Sequence, residues 1–262
     1  MGELIDITDM FDRHVEAVES ERKPDGKWHP SSMWGCPREA MLGVRAVPPT
    51  RSPDAESLRR FWFGHTIGEF AADAINLYTK AAYPEFKIDW QELNIAGAGD
   101  SLVQLDDDTW VVVEIKSIKK AGLRRTPLDH HIKQASVYSV AAHDEGVTTA
   151  EGVVIPPLGD KLRGIILWYF EKENGETRQF FVPYDGGAGP LAKVIPGSWR
   201  KKIEERVAYL ETFRTTGWPA CKSHEPGEMW RQTFCAYFPA CNMGEEEFNL
   251  LVEADRLDPP LF

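Results

Sequence analysis

The chain has 262 residues, 42% hydrophobic and 27% charged, a balance that can bury a core and excludes a disordered chain. Its 41 acidic side chains against 30 Lys and Arg give a net charge of -11, which excludes a generally basic nucleic-acid coat protein but not a local DNA groove. No apolar run is long enough to span a bilayer, and the acidic start MGELIDITDMFDRH lacks the basic and apolar regions of a signal peptide, so a cytoplasmic protein with no membrane partner is expected.

Residues 3 to 22 carry Leu4, Ile5, Ile7, Met10, Phe11, Val15 and Val18 at helical spacing. The turn-rich KPDGKWHP follows, and SSMWGCPREAMLGV then offers serine caps and a short helix. After the Pro-rich VPPTRSPD, a long helix is predicted from about Ala55 to Ala82. A β region comes next: FKIDWQELNIAG, then DSLVQL and TWVVVEIKS joined through Asp106, Asp107 and Asp108. A helix is expected over about Leu128 to His143, and further strands at GVVIPP, GIILWYFEK and TRQFFVPY. Asn174-Gly175 is a hairpin signal between the last two. A charged helix covers about Gly197 to Thr215, and the rest is irregular, aromatic and cysteine-bearing. This order predicts an α/β core, a mixed central sheet flanked by helices. Its expected parts are an N-terminal helical segment (1–54), the core (55–216) and a cysteine-bearing C-terminal segment (217–262), together one compact unit.

VVVEIKS, residues 111–117, is where chemistry enters. Val111, Val113 and Ile115 share one face of the strand, whereas Val112, Glu114 and Lys116 share the other. Fourteen residues before Glu114 stands Asp100, behind Gly97 and Gly99, which suit a tight bend between strands. Antiparallel pairing would bring Asp100 to Glu114, and two converging carboxylates make an oxygen site for Mg²⁺ or Mn²⁺. Lys116, on the same face, can orient a water or steady the charge on a phosphate. Taken alone, the E-x-K triplet also fits a solvated Glu–Lys pair on a surface hairpin.

Asp100, Glu114 and Lys116 together resemble the D-x(n)-E-x-K pattern of the PD-(D/E)xK nuclease superfamily, and its RecB-like branch in particular. That branch adds a metal-binding histidine on an upstream helix, matched by His65 in FGHTIGE, and a Q-x-x-x-Y motif, matched by Gln134 and Tyr138 in HIKQASVYSV. Gln134 and Tyr138 are four apart and share a helix face. The resemblance implies a restriction-endonuclease-like core in which Asp100, Glu114, His65 and the Ile115 backbone carbonyl hold the divalent ion. Lys116 positions the attacking water, and Gln134 and Tyr138 hold the substrate strand or the loop beside the ion.

The four cysteines are Cys36, Cys221, Cys235 and Cys241; the last three read C-x13-C-x5-C with no C-x2-C pair. In a reducing compartment they point to metal binding or core thiols before disulfides, and spacing alone leaves zinc and an iron–sulfur cluster both open. SSMWGCPREAML and CAYFPAC are similar to the entry and exit motifs of the iron–sulfur RecB-like exonucleases, the AddB and CRISPR-associated Cas-four types. That likeness implies a 4Fe–4S cluster stapling the N- and C-terminal segments. The gap from Cys221 to Cys235 is longer than the family spacing and contains His224, so either Cys221 or His224 completes the set.

Between Lys116 and Lys133 the bases Lys116, Lys119, Lys120, Arg124, Arg125 and Lys133 face one acid, Asp129, so this stretch is a candidate phosphate clamp. Trp28, Trp34, Phe61 and Trp62 are candidates for stacking on bases, with core packing the commoner use. The expected activity is a metal-dependent exonuclease on single-stranded DNA or DNA ends. Alternatives are a structure-specific endonuclease on the same fold and a non-catalytic DNA-binding or adaptor subunit with a Cys-bound metal. No P-loop is present, so unwinding would need a helicase, with recombination or CRISPR-adaptation proteins as further candidate partners.

Overall fold

Strand formers from Ala81 onward build a seven-stranded mixed sheet in the computed structural model, which describes residues 7–20, 25–45, 47, 49–51, 53–185, 196–222, 225, 235–241 and 250. Its strands are β1 (Ala81–Trp90), β2 (Ile95–Gln104), β3 (Trp110–Ile118), β4 (Val147–Thr149), β5 (Val154–Ile155), β6 (Leu162–Glu171) and β7 (Thr177–Pro183), in the order β5-β4-β1-β2-β3-β6-β7. Among these seven strands β3 and β6 are the one parallel pair; the crossover between them carries α4 (Lys120–Leu123) and α5 (Asp129–Asp144). The other helices are α1 (Ile7–Ser20), α2 (Pro37–Val44), α3 (Ala55–Tyr78), α6 (Trp199–Thr216) and α7 (Phe238–Cys241). Among the described residues, no helix is long and apolar enough to cross a membrane.

Two departures from expectation have physical causes. Helix α3 stops at Tyr78 rather than Ala82, because Ala81 to Pro84 are taken into the ladder opposite Ser101 to Gln104. Pairing with β2 overrides the helical preference of the two alanines. Gly97 and Gly99 form no bend; both lie inside β2. They are seats for neighbours: a Cβ on Gly99 would sit 2.3 Å from the Phe86 ring, and one on Gly97 would sit 2.8 Å from Pro30 and 3.2 Å from Tyr138. The bend falls earlier, at Gln91–Leu93, where Asn94 takes the left-handed conformation. The expected hairpin at Asn174-Gly175 is present, with Glu171 accepting the N–H groups of Glu173 and Asn174 at 2.8 and 2.7 Å.

The described residues fall into two compact units, whose limits differ from the expected single unit of three parts. Unit 2 takes Trp28–Trp34 and Gly64–Tyr209, hence the whole sheet; unit 1 takes Met1–Lys27, Gly35–Phe63 and Leu210–Phe262. In unit 2, one sheet face packs Ala82, Val103, Val111, Val113 and Ile115 against Ala71 and Ile75 of α3. Trp28 bonds to Asn94 and Ala96 and is 1% exposed, so it is core and not a stacking platform. In unit 1, Leu42, Val47 and Cys241 pack with Trp218, Cys221 and Tyr237. Residues far apart in sequence are joined there: Arg38 donates to the Pro219 carbonyl at 2.7 Å, and Arg51 N–H to that of Ala236 at 2.9 Å. The expectations for Leu4, Ile5, His224 and most of 217–262 lie outside the described residues.

Candidate functional site

The β2–β3 ladder begins at Gln104↔Trp110 and ends at Ser101↔Val113. Beyond that pair the strands part: β2 continues against β1, with Gly99 opposite Phe86, while β3 continues against β6, with Glu114 opposite Leu167. Asp100 and Glu114 are the next residues after the last pair, so they face each other across the fork. The Ile115 N–H, released from the β2 ladder, is taken by Asp100 Oδ2 at 2.6 Å. A strand splay therefore positions both carboxylates, and the side-chain period of two carries Lys116 to the Glu114 face.

Glu114 does not lie on a solvated surface: it is 1% exposed. Neither of its oxygens has a well-aligned hydrogen-bond partner, although Lys116 Nζ lies 2.5 Å from Oε1 as an ion pair. Burial pushes the Glu114 carboxyl up to about 7, with Lys116 opposing and Asp100 reinforcing the rise. Asp100 is likewise raised by burial, against the pull of Lys116 and the Ile115 N–H. Burial disfavours the Lys116 charge, but Glu114 and Asp100 more than offset it and raise the ammonium above its usual range. Three ionisable groups thus act on one another here, and apart from Lys116 no donor among the described residues reaches the Glu114 oxygens.

Helix α5 supplies the other wall. Tyr138, 3% exposed, is hydrogen-bonded by Gln134 and is raised by burial and by the nearby Glu114. Its ring stands edge-on to Phe86 at 6.0 Å between centroids. Tyr138 thus lies near Glu114 and Asp100, with Gln134 bonded to it on the same helix. His65 on α3 lies near enough to act electrostatically on Asp100. Its Nε2, however, is 3.3 Å from Glu69 Oε1 one turn on, and both side chains are 66% exposed. Gly64 gives α3 its close approach here, since a Cβ would sit 3.0 Å from Ser117 Oγ.

Several neighbours of the site carry no readable signal in the sequence. Glu85 also acts on Asp100 and has φ +54, an unusual conformation for a non-glycine residue inside a strand. Tyr169 stands beside Lys116 on β6, and its hydroxyl meets the start of α5 at Leu128 and His131. Each partner is distant in sequence and invisible to local pattern.

Of the basic candidates, Lys119, Lys120, Arg124 and Arg125 are exposed around α4, directly after the catalytic-candidate strand. Lys133 is paired with Asp129 at 2.6 Å, so its charge is largely neutralised locally.

All four cysteines belong to unit 1, and no disulfide joins any of them. Cys36, Cys235 and Cys241 are buried, and Cys36 Sγ accepts the Lys222 N–H at 3.5 Å. Burial pushes Cys235 up to about 11, with contributions from Glu39, Cys36 and Cys221. Cys241 is raised by burial and by Cys221, to which it is hydrogen-bonded. The thiols thus act on one another, with Glu39 and Arg38 beside them, and thiolate is the donor type that a soft metal centre takes.

Among the described residues, no three or more His, Cys, Asp or Glu stand in the arrangement of a ready-made metal site. The divalent-ion fit rests instead on Glu114, a buried carboxylate lacking donors beside a second carboxylate. No family model and no curated protein matches the chain. Among solved structures, the protein SSO0001 is similar over 90% of this chain and 96% of its own, with 14% identity and a TM-score of 0.50. At that identity the likeness shows the fold alone and nothing of activity; in this chain the fold is α/β, with a mixed seven-stranded sheet flanked by helices.

Proposed function

We propose that the chain is a metal-dependent deoxyribonuclease of the PD-(D/E)xK superfamily, a RecB-like exonuclease that acts on single-stranded DNA or DNA ends. The observation that carries this reading is the fork in the sheet: Asp100 and Glu114 face each other, Lys116 lies 2.5 Å from Glu114, and Glu114 is buried without aligned donors. A Glu–Lys pair kept only as a surface salt bridge would sit on a solvated face, whereas this carboxylate is buried beside a second one, with Lys116 as its near partner. Asp100 and Glu114 are the residues that would hold a divalent ion, with His65 joining them by releasing Glu69. When bound, such an ion supplies Lewis acidity toward phosphoryl oxygens and toward water. Lys116 orients the attacking water, and its charge offsets the negative charge that grows on the phosphate as the 3′ oxygen departs. Tyr138, fixed by Gln134, forms the dry wall beside the carboxylates. The exposed Lys119, Lys120, Arg124 and Arg125 lead the strand toward the site. Cys36, Cys221, Cys235 and Cys241 are the residues that would hold a 4Fe–4S cluster, which when bound would tie together the segments of unit 1.

The test is degradation of end-labelled single-stranded DNA with Mn²⁺ or Mg²⁺ by wild type, Glu114→Ala and Lys116→Ala. Loss of activity in both variants supports the assignment, and equal activity in all three overturns it. A circular single strand separates the exonuclease from an endonuclease on the same fold, since only the latter cuts it.

A further inference from the structure

Tyr169 pairs in register with Lys116 on the neighbouring parallel strand and is completely buried. Its hydroxyl oxygen accepts the Leu128 N–H at 3.1 Å, and His131 Nδ1 lies 3.2 Å from the same oxygen. With Leu128 donating into the oxygen, the hydroxyl hydrogen has one acceptor among the described residues, His131 Nδ1. Filling Nδ1 with that hydrogen bond leaves the imidazole proton on Nε2. The ring is held further by His130, 4.1 Å away between centroids. Burial, His130 and Lys116 push the His131 pKa down to about 3, so the ring is neutral near pH 7.

Positions 131, 134 and 138 recur at helical spacing on α5, so His131 extends the face that carries Gln134 and brings Tyr138 to the carboxylates. His131 is only partly buried, and no protein acceptor takes its Nε2–H among the described residues. Nε2 is not one of the buried unpartnered atoms, so it is open to solvent or to a ligand.

Resting on the nuclease reading, we propose that His131 is a substrate-binding residue, a neutral imidazole whose tautomer is set by Tyr169 and whose Nε2–H donates to a phosphoryl oxygen of the DNA strand beside Lys116. A neutral donor suits this position because a second cation next to Lys116 and a bound metal would be repelled, whereas an N–H still recognises the anion. Tyr169 is its positioning residue.

The experiment compares wild type, His131→Leu, His131→Gln and Tyr169→Phe by fluorescence anisotropy of a labelled single strand in Ca²⁺ and by single-turnover cleavage in Mn²⁺. Long-range ¹H–¹⁵N spectra of the histidines read the tautomer independently of activity. The expected result is a loss of about tenfold or more in binding or cleavage for His131→Leu, the range for a hydrogen bond to a charged group. Most of it should return in His131→Gln, which keeps a neutral N–H, and Tyr169→Phe should fall between. The wild-type ring should stay Nε2-protonated from slightly acidic to slightly basic pH. A Leu variant equal to wild type, a Gln variant no better than Leu, or an Nδ1-protonated ring overturns the proposal alone. A wild type that neither binds nor cuts DNA overturns it together with the function on which it rests.

Discussion

Replacing Glu114 with Gln should make the metal-free protein more stable at alkaline pH while abolishing its response to metal. A carboxyl that ionises at 4.5 when unfolded and at about 7 when folded holds its proton more tightly in the folded state. The folded state is therefore favoured at low pH, and that advantage is lost as pH rises from 4.5 through about 7. Above that window the buried charge costs about 3 kcal/mol, at about 1.4 kcal/mol per pH unit of separation. The amide removes this cost but leaves Lys116 with Asp100 as its remaining partner, so the net gain should be about 1–2 kcal/mol. For a chain of this size that raises the unfolding midpoint by about 4 °C at pH 8 in EDTA. By pH 5 the ionisation cost itself falls to under about 1 kcal/mol, and the two proteins should converge. Saturating Mn²⁺ reverses the order: at about 100 times its dissociation constant it adds about 2.7 kcal/mol to wild type and nothing to Glu114→Gln. Thermal unfolding across pH, with EDTA and with Mn²⁺, measures every part of this. A Gln variant no more stable than wild type at pH 8, or a difference indifferent to pH, would refute the buried-charge argument.

Lys116→Met removes a competing cation from Glu114, so Mn²⁺ affinity by calorimetry should hold or rise while cleavage falls about 100-fold or more. Gly99→Ala should destabilise the protein by about 1–3 kcal/mol in urea unfolding, because the new methyl meets the Phe86 ring at 2.3 Å. Shrinking that ring in a Phe86→Leu background should recover part of the loss, as expected for sites in direct contact. Anaerobically purified protein should be brown and contain iron, and Cys235→Ser should lose both colour and metal while the Asp100–Glu114 site still binds Mn²⁺. Iron-free, colourless wild type would rule out the cluster.

Local pattern made much of the architecture legible. The strand pair around Asp106 to Asp108, the Asn174-Gly175 hairpin and the α5 face with Gln134 and Tyr138 all follow from spacing that nearby residues determine. Glu114 and Lys116 were readable as two charges on one strand face, but not as buried. Whether an E-x-K triplet is solvated depends on α5 and β6, whose contacts lie far along the chain. Gly97 and Gly99 mark the opposite limit. Glycines before an acidic residue suggest a bend, yet here they make room for Pro30, Tyr138 and Phe86 inside an extended strand. Tyr169 and His131 are 38 residues apart and gave no local sign of meeting.

The fork explains why these particular residues break ordinary rules together. Where the β2–β3 ladder ends, one backbone N–H is left without its partner, and Asp100 takes it. A serine or asparagine could have done that at lower electrostatic cost, since Asp100 is itself raised by burial. Two residues on, Lys116 reaches Glu114 but leaves it without aligned hydrogen bonds, and Glu85 adopts a positive φ nearby. A sequence selected for stability alone would relieve each of these at one stroke, with an apolar residue at 114 or glycine at 85. Their concentration around a single strand end is the pattern expected where binding chemistry, not packing, decides the residues. The same logic reaches His131, a partly buried imidazole whose Nδ1 meets Tyr169 and on which the Lys116 charge acts.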